Sequence, residues 1–166
     1  EAPKKSLNGG KVAGAYARLD AFVGKVKQTL IDEGVAENTL FVIMADNGPM
    51  VHNPPPGWGM TEIMFRGGKG DFTEGGIRVP AMAWWPGTIK EGQLVGDMIH
   101  VSDLFTTFAN LAGAKKHIPT DRIIDGLDQT SLLFNGDTYG RRDYNFVYVG
   151  NELGAIIKGR YKRHLM

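Results

Sequence analysis

The chain has 166 residues, 42% of them hydrophobic, which is enough for one ordinary domain with a real core. A formal net charge of +1 gives no electrostatic argument for nucleic acid or strong membrane attraction, and no apolar run approaches the roughly 20 residues of a membrane span. The absence of cysteine excludes disulfides and thiol chemistry but assigns no compartment.

Residues 1–10 are polar and glycine-containing and read as a connection. A helix is predicted over residues 11–33, because Val12, Tyr16, Leu19, Val23, Val26 and Leu30 recur at spacings of three and four. Its stripe is suited to packing on a sheet, with Asp20, facing away from most of it, a solvated or capping carboxylate rather than a ligand, and Gly34 ends it. Residues 40–45 are six apolar residues in a row, too short for a helix and without alternation, and so read as a buried parallel strand. Helix followed by strand is the repeating unit of an α/β sheet.

Chemistry is expected just past such a strand, where the chain leaves the sheet and side chains can be aimed into a crevice. Asp46 and Asn47 stand there, and a carboxylate beside an amide carbonyl offers two hard oxygen donors suited to Ca²⁺ or Mg²⁺. Asp46-Asn47-Gly48 is equally a good turn sequence. Residues 49–61, with Pro54-Pro55-Pro56 and Gly57-Trp58-Gly59, form an irregular loop in which His52 and Trp58 are open to two readings, substrate contact or local packing. Arg66-Gly67-Gly68-Lys69-Gly70 then presents a lysine among glycines. A P-loop needs Ser or Thr after the lysine, and Gly70 stands there instead, so that reading is rejected. Lys69 is left as an ammonium donating to an anionic substrate or as a solvated loop lysine.

A second strand is predicted over residues 77–85, with Pro80 marking an edge, end or bulge, followed by a turn at Pro86-Gly87 and an extended segment at 98–101. Ser102 or Asp103 can cap a helix whose Leu104, Phe105, Phe108 and Leu111 form an apolar face, and Gly113 closes it. Residues 129–134 allow one or two helical turns, and short strands follow at 144–149, 154–158 and 160–165. Lys158, Arg160, Lys162 and Arg163 are either an attractor for a sulfated glycan or the solvated face of a strand pair.

Taken together, Asn38-Thr39-Leu40 running into Ala45-Asp46-Asn47-Gly48-Pro49, then Arg66-Gly67-Gly68-Lys69-Gly70, Glu74-Gly75-Gly76-Ile77-Arg78-Val79-Pro80 and Trp84-Trp85-Pro86-Gly87, resemble the sulfatase family, in particular arylsulfatase-like members of the alkaline-phosphatase superfamily. Order and spacing match as well as composition, from about residue 14 to residue 128. The resemblance implies an α/β fold, part of an alkaline-phosphatase-like mixed sheet flanked by helices. Residues 1–140 would be the carboxyl-terminal portion of the α/β domain and 141–166 the start of a small antiparallel subdomain. It implies that Asp46 and Asn47 are calcium ligands and that Lys69 binds the sulfate ester and assists catalysis; it assigns His52 no role, and His52 stays a candidate for substrate contact from its place in the loop.

The family's nucleophile is a formylglycine made from Cys or Ser in a Cys/Ser-x-Pro-x-Arg motif, and neither Ser6, Ser102 nor Ser131 begins one. The expectation is therefore a fragment of a sulfuric ester hydrolase, inactive alone, whose parent acts on sulfate esters, sulfated carbohydrate included, in a periplasmic, secreted or lysosomal setting. Phosphonate monoester or phosphodiester hydrolases of the same superfamily are the alternative enzymes, and a non-catalytic sulfated-glycan-binding module is the alternative of another class. A strand deprived of neighbours predicts exposed apolar surface and self-association.

Overall fold

The computed structural model describes residues 11–52 and 64–166, which fall into two compact units, Glu1–Gly87 and Thr88–Met166. The expectations for residues 1–10, Pro54-Pro55-Pro56 and Trp58 lie outside the described residues.

In the first unit, helix α1 spans Lys11–Asp32. It ends in a Schellman motif: Gly34 takes the left-handed conformation (φ 68°), its N–H bonds the Ile31 carbonyl at 3.0 Å, and the Val35 N–H bonds the Leu30 carbonyl at 3.0 Å. Val12, Val23, Val26 and Leu30 are half-buried, whereas Tyr16, Leu19 and Phe22 are exposed. A 3₁₀ turn at Ala36–Asn38 leads into strand β1, Phe41–Met44.

β1 pairs with β2, Ala81–Trp84, in antiparallel register from Phe41 opposite Trp84 to Met44 opposite Ala81. This corrects the expectation of a buried parallel strand: among the described residues β1 has one partner, antiparallel, and it is half-buried with Met44 exposed. An apolar run records burial, not the direction of its neighbour, and here the chain returns after residue 80 along the edge it left. The Ala45 N–H extends the pairing to the Pro80 carbonyl at 3.1 Å, so Pro80 stands just before the strand, where its missing N–H costs no ladder bond. Residues Glu74–Ile77, partly expected as strand, form a short helix α2. Trp84 lies under Lys27 Nζ of α1 at 4.9 Å, and Trp85 Nε1 donates to the Glu37 carbonyl at 2.7 Å, so the two tryptophans anchor the strand end to the helix and its exit turn.

In the second unit, residues 98–100 form no strand, and helix α3, Val101–Leu111, starts earlier than expected. His100, rather than Ser102 or Asp103, is the N-cap: its Nδ1 accepts the Ser102 N–H at 3.2 Å while Asp103 Oδ2 accepts the His100 N–H at 2.9 Å. The result is a capping box with a histidine in the serine's place. The expected apolar face is corrected in part: Leu104 and Leu111 are half-buried, but the two phenylalanines are not. Phe105 and Phe108 are 52% and 42% exposed, while Asp103 and Thr107 are 0% and 1% exposed.

The interior that α3 faces is wired by polar side chains. Arg142 holds Asp103 through Nη2 to Oδ1 at 2.6 Å and Nε to Oδ2 at 2.8 Å, and its Nη2 also donates to the Asp125 carbonyl at 2.7 Å. Asp103 further accepts the Leu127 N–H at 2.7 Å and Gln129 Nε2 at 3.3 Å. Gln129 completes itself with Thr107 Oγ1 at 2.9 Å and the Arg141 N–H at 3.0 Å. Burial alone would raise the Asp103 carboxyl, but the bonds from Arg142, His100 and Leu127 outweigh it and hold it below the ordinary carboxylate value. Burial and the Arg142 charge push His100 down.

Helix α4, Thr130–Asn135, contributes buried Leu132. Strands β3 (Tyr144–Val149), β4 (Glu152–Lys158) and β5 (Tyr161–His164) form an antiparallel sheet in that order, with a bulge between Val147 and Tyr148. Val147 and Ala155 are its buried apolar residues.

Candidate functional site

Two loops of the first unit meet beyond the end of β1. The first, residues 45–52, carries Asp46, Asn47 and His52, and the second, residues 66–76, carries Lys69. Backbone bonds stitch them together: the Gly48 N–H to the Gly76 carbonyl at 3.0 Å and the Lys69 N–H to the Pro49 carbonyl at 2.8 Å. The second loop is closed on itself by the Gly75 N–H and Thr73 Oγ1, both at 2.7 Å from the Arg66 carbonyl.

The glycines make this approach possible. A methyl on Gly48 would strike the Gly75 carbonyl, one on Gly75 the Gly67 and Arg66 carbonyls, one on Gly76 the Asp71 and Gly68 carbonyls, and one on Gly68 the Pro49 carbonyl. Gly48, Gly68, Gly75 and Gly76 are accordingly buried, covered by backbone and, at Gly68, by the Val51 side chain as well. Sequence reasoning sees the glycines and anticipates close backbone approach; it does not see which loop each one meets.

The chemistry-bearing side chains stay outside this knot. Asp46 is exposed, and its Oδ1 accepts the Asn47 N–H at 2.9 Å, so the turn reading and the ligand reading are compatible. Asn47 turns its Nδ2 to the Gly48 carbonyl at 2.8 Å, and its amide oxygen is the group that can accept or ligate. Lys69 is exposed between Gly68 and Gly70. Asp46 and Asn47 present hard oxygens that fit calcium as part of a shell. Among the described residues, no group of three or more His, Cys, Asp or Glu forms a metal cage.

His52 is brought to a partner the sequence did not suggest. Its Nε2 lies 3.1 Å from Asp71 Oδ2, and the same oxygen accepts the Gly68 N–H at 2.8 Å. The Gly68 N–H first and His52 second draw the Asp71 carboxyl below its ordinary value.

The basic residues near the end of the chain do not gather on one face. Lys162 stands opposite Ile157 and Arg163 opposite Ile156, and neighbours on a strand point to opposite sides. Lys158 is paired with Asp143 at 3.0 Å.

The loops that carry Asp46, Asn47 and Lys69 lie inside the region by which the chain belongs to the sulfatase family: the Sulfatase family model matches residues 10–114. The fold is correspondingly α/β, with small antiparallel sheets and helices, and the similar solved structures are sulfatases of the alkaline-phosphatase-like fold. Over 156 residues the chain is 40% identical to N-acetylgalactosamine-6-sulfatase of Mus musculus, covering 94% of this chain and 29% of that one. It is 39% identical over 150 residues to steryl-sulfatase of Rattus norvegicus, covering 89% and 26%. Among solved structures, the PsFucS1 sulfatase of Pseudoalteromonas sp. superposes with a TM-score of 0.84 at 32% identity, over 92% of this chain and 30% of that chain. The chain thus spans less than a third of the length of these relatives. Among the described residues no helix is long and apolar enough to cross a membrane.

Proposed function

We propose that the full-length protein containing this chain hydrolyses sulfate esters, and that the chain supplies part of its calcium and sulfate site but not its nucleophile. The observation that carries this reading is the pair of loops bonded backbone to backbone, which puts Asp46, Asn47 and Lys69 on one rigid support inside the region matched by the family model.

Asp46 and Asn47 would hold the calcium ion. Such an ion takes six to eight oxygens, so two protein donors bind it weakly until further ligands join them. When bound, it neutralises charge on the sulfate oxygens and orients the reacting groups. Lys69 donates hydrogen bonds to a sulfate oxygen and stabilises the charge that grows towards the leaving group. The Lys69 N–H bond to the Pro49 carbonyl ties the backbone beneath the ammonium to the loop that bears Asp46 and Asn47.

The nucleophile, a formylglycine, is assigned to a part of the protein beyond this chain. The proposed substrates include sulfated carbohydrate: the similar structure Ps i-CgsB was solved with k-i-k-neocarrahexaose, and BT4656 with its substrate D-glucosamine-2-N,6-O-disulfate. A periplasmic, secreted or lysosomal setting accords with this substrate class, and the exposed apolar side chains favour self-association of the isolated chain. The split of the basic residues between strand faces speaks against a glycan-binding module as the main role.

The test is hydrolysis of an aryl sulfate, with aryl phosphate and aryl phosphonate beside it, by this chain and by the full-length protein in calcium. Activity confined to the full-length protein and selective for sulfate is the expected result. Selectivity for phosphate or phosphonate would overturn the substrate assignment, and robust sulfate hydrolysis by the purified chain would overturn the placement of the nucleophile elsewhere.

A further inference from the structure

A lysine between two glycines has little intrinsic reason to stay in one place, because glycine backbones lose more freedom on ordering than any others. Lys69 is in this position, with Gly67 (φ 81°) and Gly70 (φ 93°) both in the left-handed region. Its own N–H is fixed to Pro49, but the residues on either side need separate restraint.

The geometry points to Asp71 as the positioning residue for Lys69, through one carboxylate oxygen shared between the Gly68 N–H of its own loop and the His52 ring of the neighbouring loop. The Asp71 N–H returns a bond to the Gly68 carbonyl at 2.9 Å, so residues 68 and 71 grip each other on both sides of Lys69. His52 then tethers this grip to the loop that bears Asp46 and Asn47. An ionised carboxylate only accepts, so His52 Nε2 carries the proton in this contact. That assigns His52 a role as donor to Asp71, in place of direct substrate contact. The lowered Asp71 carboxyl keeps the acceptor ionised at neutral pH.

The catalytic side of this inference rests on the sulfate-ester reading; the structural side does not. Two readouts keep them apart. In this chain, Asp71→Ala should speed hydrogen exchange of the Gly68 and Lys69 amides by at least about threefold, since local opening sets that rate. In the full-length protein, Asp71→Ala should lower kcat on an aryl sulfate by roughly ten- to a hundredfold with a smaller change in KM, because misplacing a transition-state group costs turnover more than binding. His52→Ala should produce a smaller loss of the same kind, and His52→Gln, whose amide can still donate, should recover part of it. Unchanged exchange at Gly68 and Lys69 would overturn the clasp. Faster exchange with wild-type kcat would overturn its positioning role. If the full-length protein turns over aryl phosphate or phosphonate instead, the sulfate reading fails while kcat on that substrate decides the role of Asp71. If it turns over none of the three, the sulfate reading fails and the exchange result alone decides the clasp.

Discussion

Each of the two units is held together internally, and by opposite means. Around β1 the joining is done by backbone, glycine against glycine, and the charged side chains are left exposed. Around α3 it is done by side chains, with Asp103 and Arg142 buried and every buried side-chain polar atom partnered among the described residues. The difference separates a site from a scaffold. Asp103 is a buried acid with a perturbed carboxyl beside a histidine, features that often mark catalysis. Its oxygens, however, are already taken by Arg142, His100, Leu127 and Gln129, so it has nothing to offer a substrate. Asp46, Asn47 and Lys69 look less unusual and have more capacity to spare.

The largest expected effect comes from breaking the scaffold. Asp103→Ala would strand the buried Arg142 guanidinium, and loss of one partner of a buried pair costs about 3–5 kcal/mol. Denaturant unfolding of this chain should show that loss in signals from Thr88–Met166. Lys69→Ala sharpens the contrast from the other side: roughly a 10²–10³-fold fall in kcat of the full-length protein, with stability within about 0.5 kcal/mol of wild type. Asp46→Ala should likewise leave stability unchanged and raise the calcium concentration needed for half-maximal activity. Gly75→Ala attacks the knot itself, and forcing a methyl against backbone carbonyls should cost about 1–3 kcal/mol in the thermal unfolding of the first unit.

The smallest effect is with pH. Asp103 and His100 both have folded values below their ordinary ones, so their stabilising contributions are fully present above the ordinary values and fade as pH falls through the folded ones. The second unit should therefore begin to weaken below about pH 6.5 through His100 and fall further below about pH 3.9 through Asp103. Residue-resolved amide signals followed from pH 8 to pH 3 would show this. A second unit indifferent to acid would mean that the polar network contributes little.

What was legible in the sequence follows from how local each signal is. The helix ending at Gly34, the second closing at Gly113, and the three final strands were readable because periodicity, glycine and strand composition act within a few residues. Asp46, Asn47 and Lys69 were singled out by residue type and by resemblance. The antiparallel pairing of β1 was not readable, since six apolar residues in a row carry no direction. Nor was the reversed burial of α3, because the partners that draw Asp103 inward lie 24 to 39 residues further on. Asp71 carried no signal of its own in the sequence, because its bond to His52 spans 19 residues of chain.

The reversal of α3 also has a practical side. A solubility redesign guided by hydropathy would spare Phe105 and Phe108 as core and replace Asp103 and Thr107 as surface, and each choice would be backwards. Polar residues at 105 and 108 are the changes that should make the isolated chain easier to keep in solution, while Asp103 and Thr107 are left untouched.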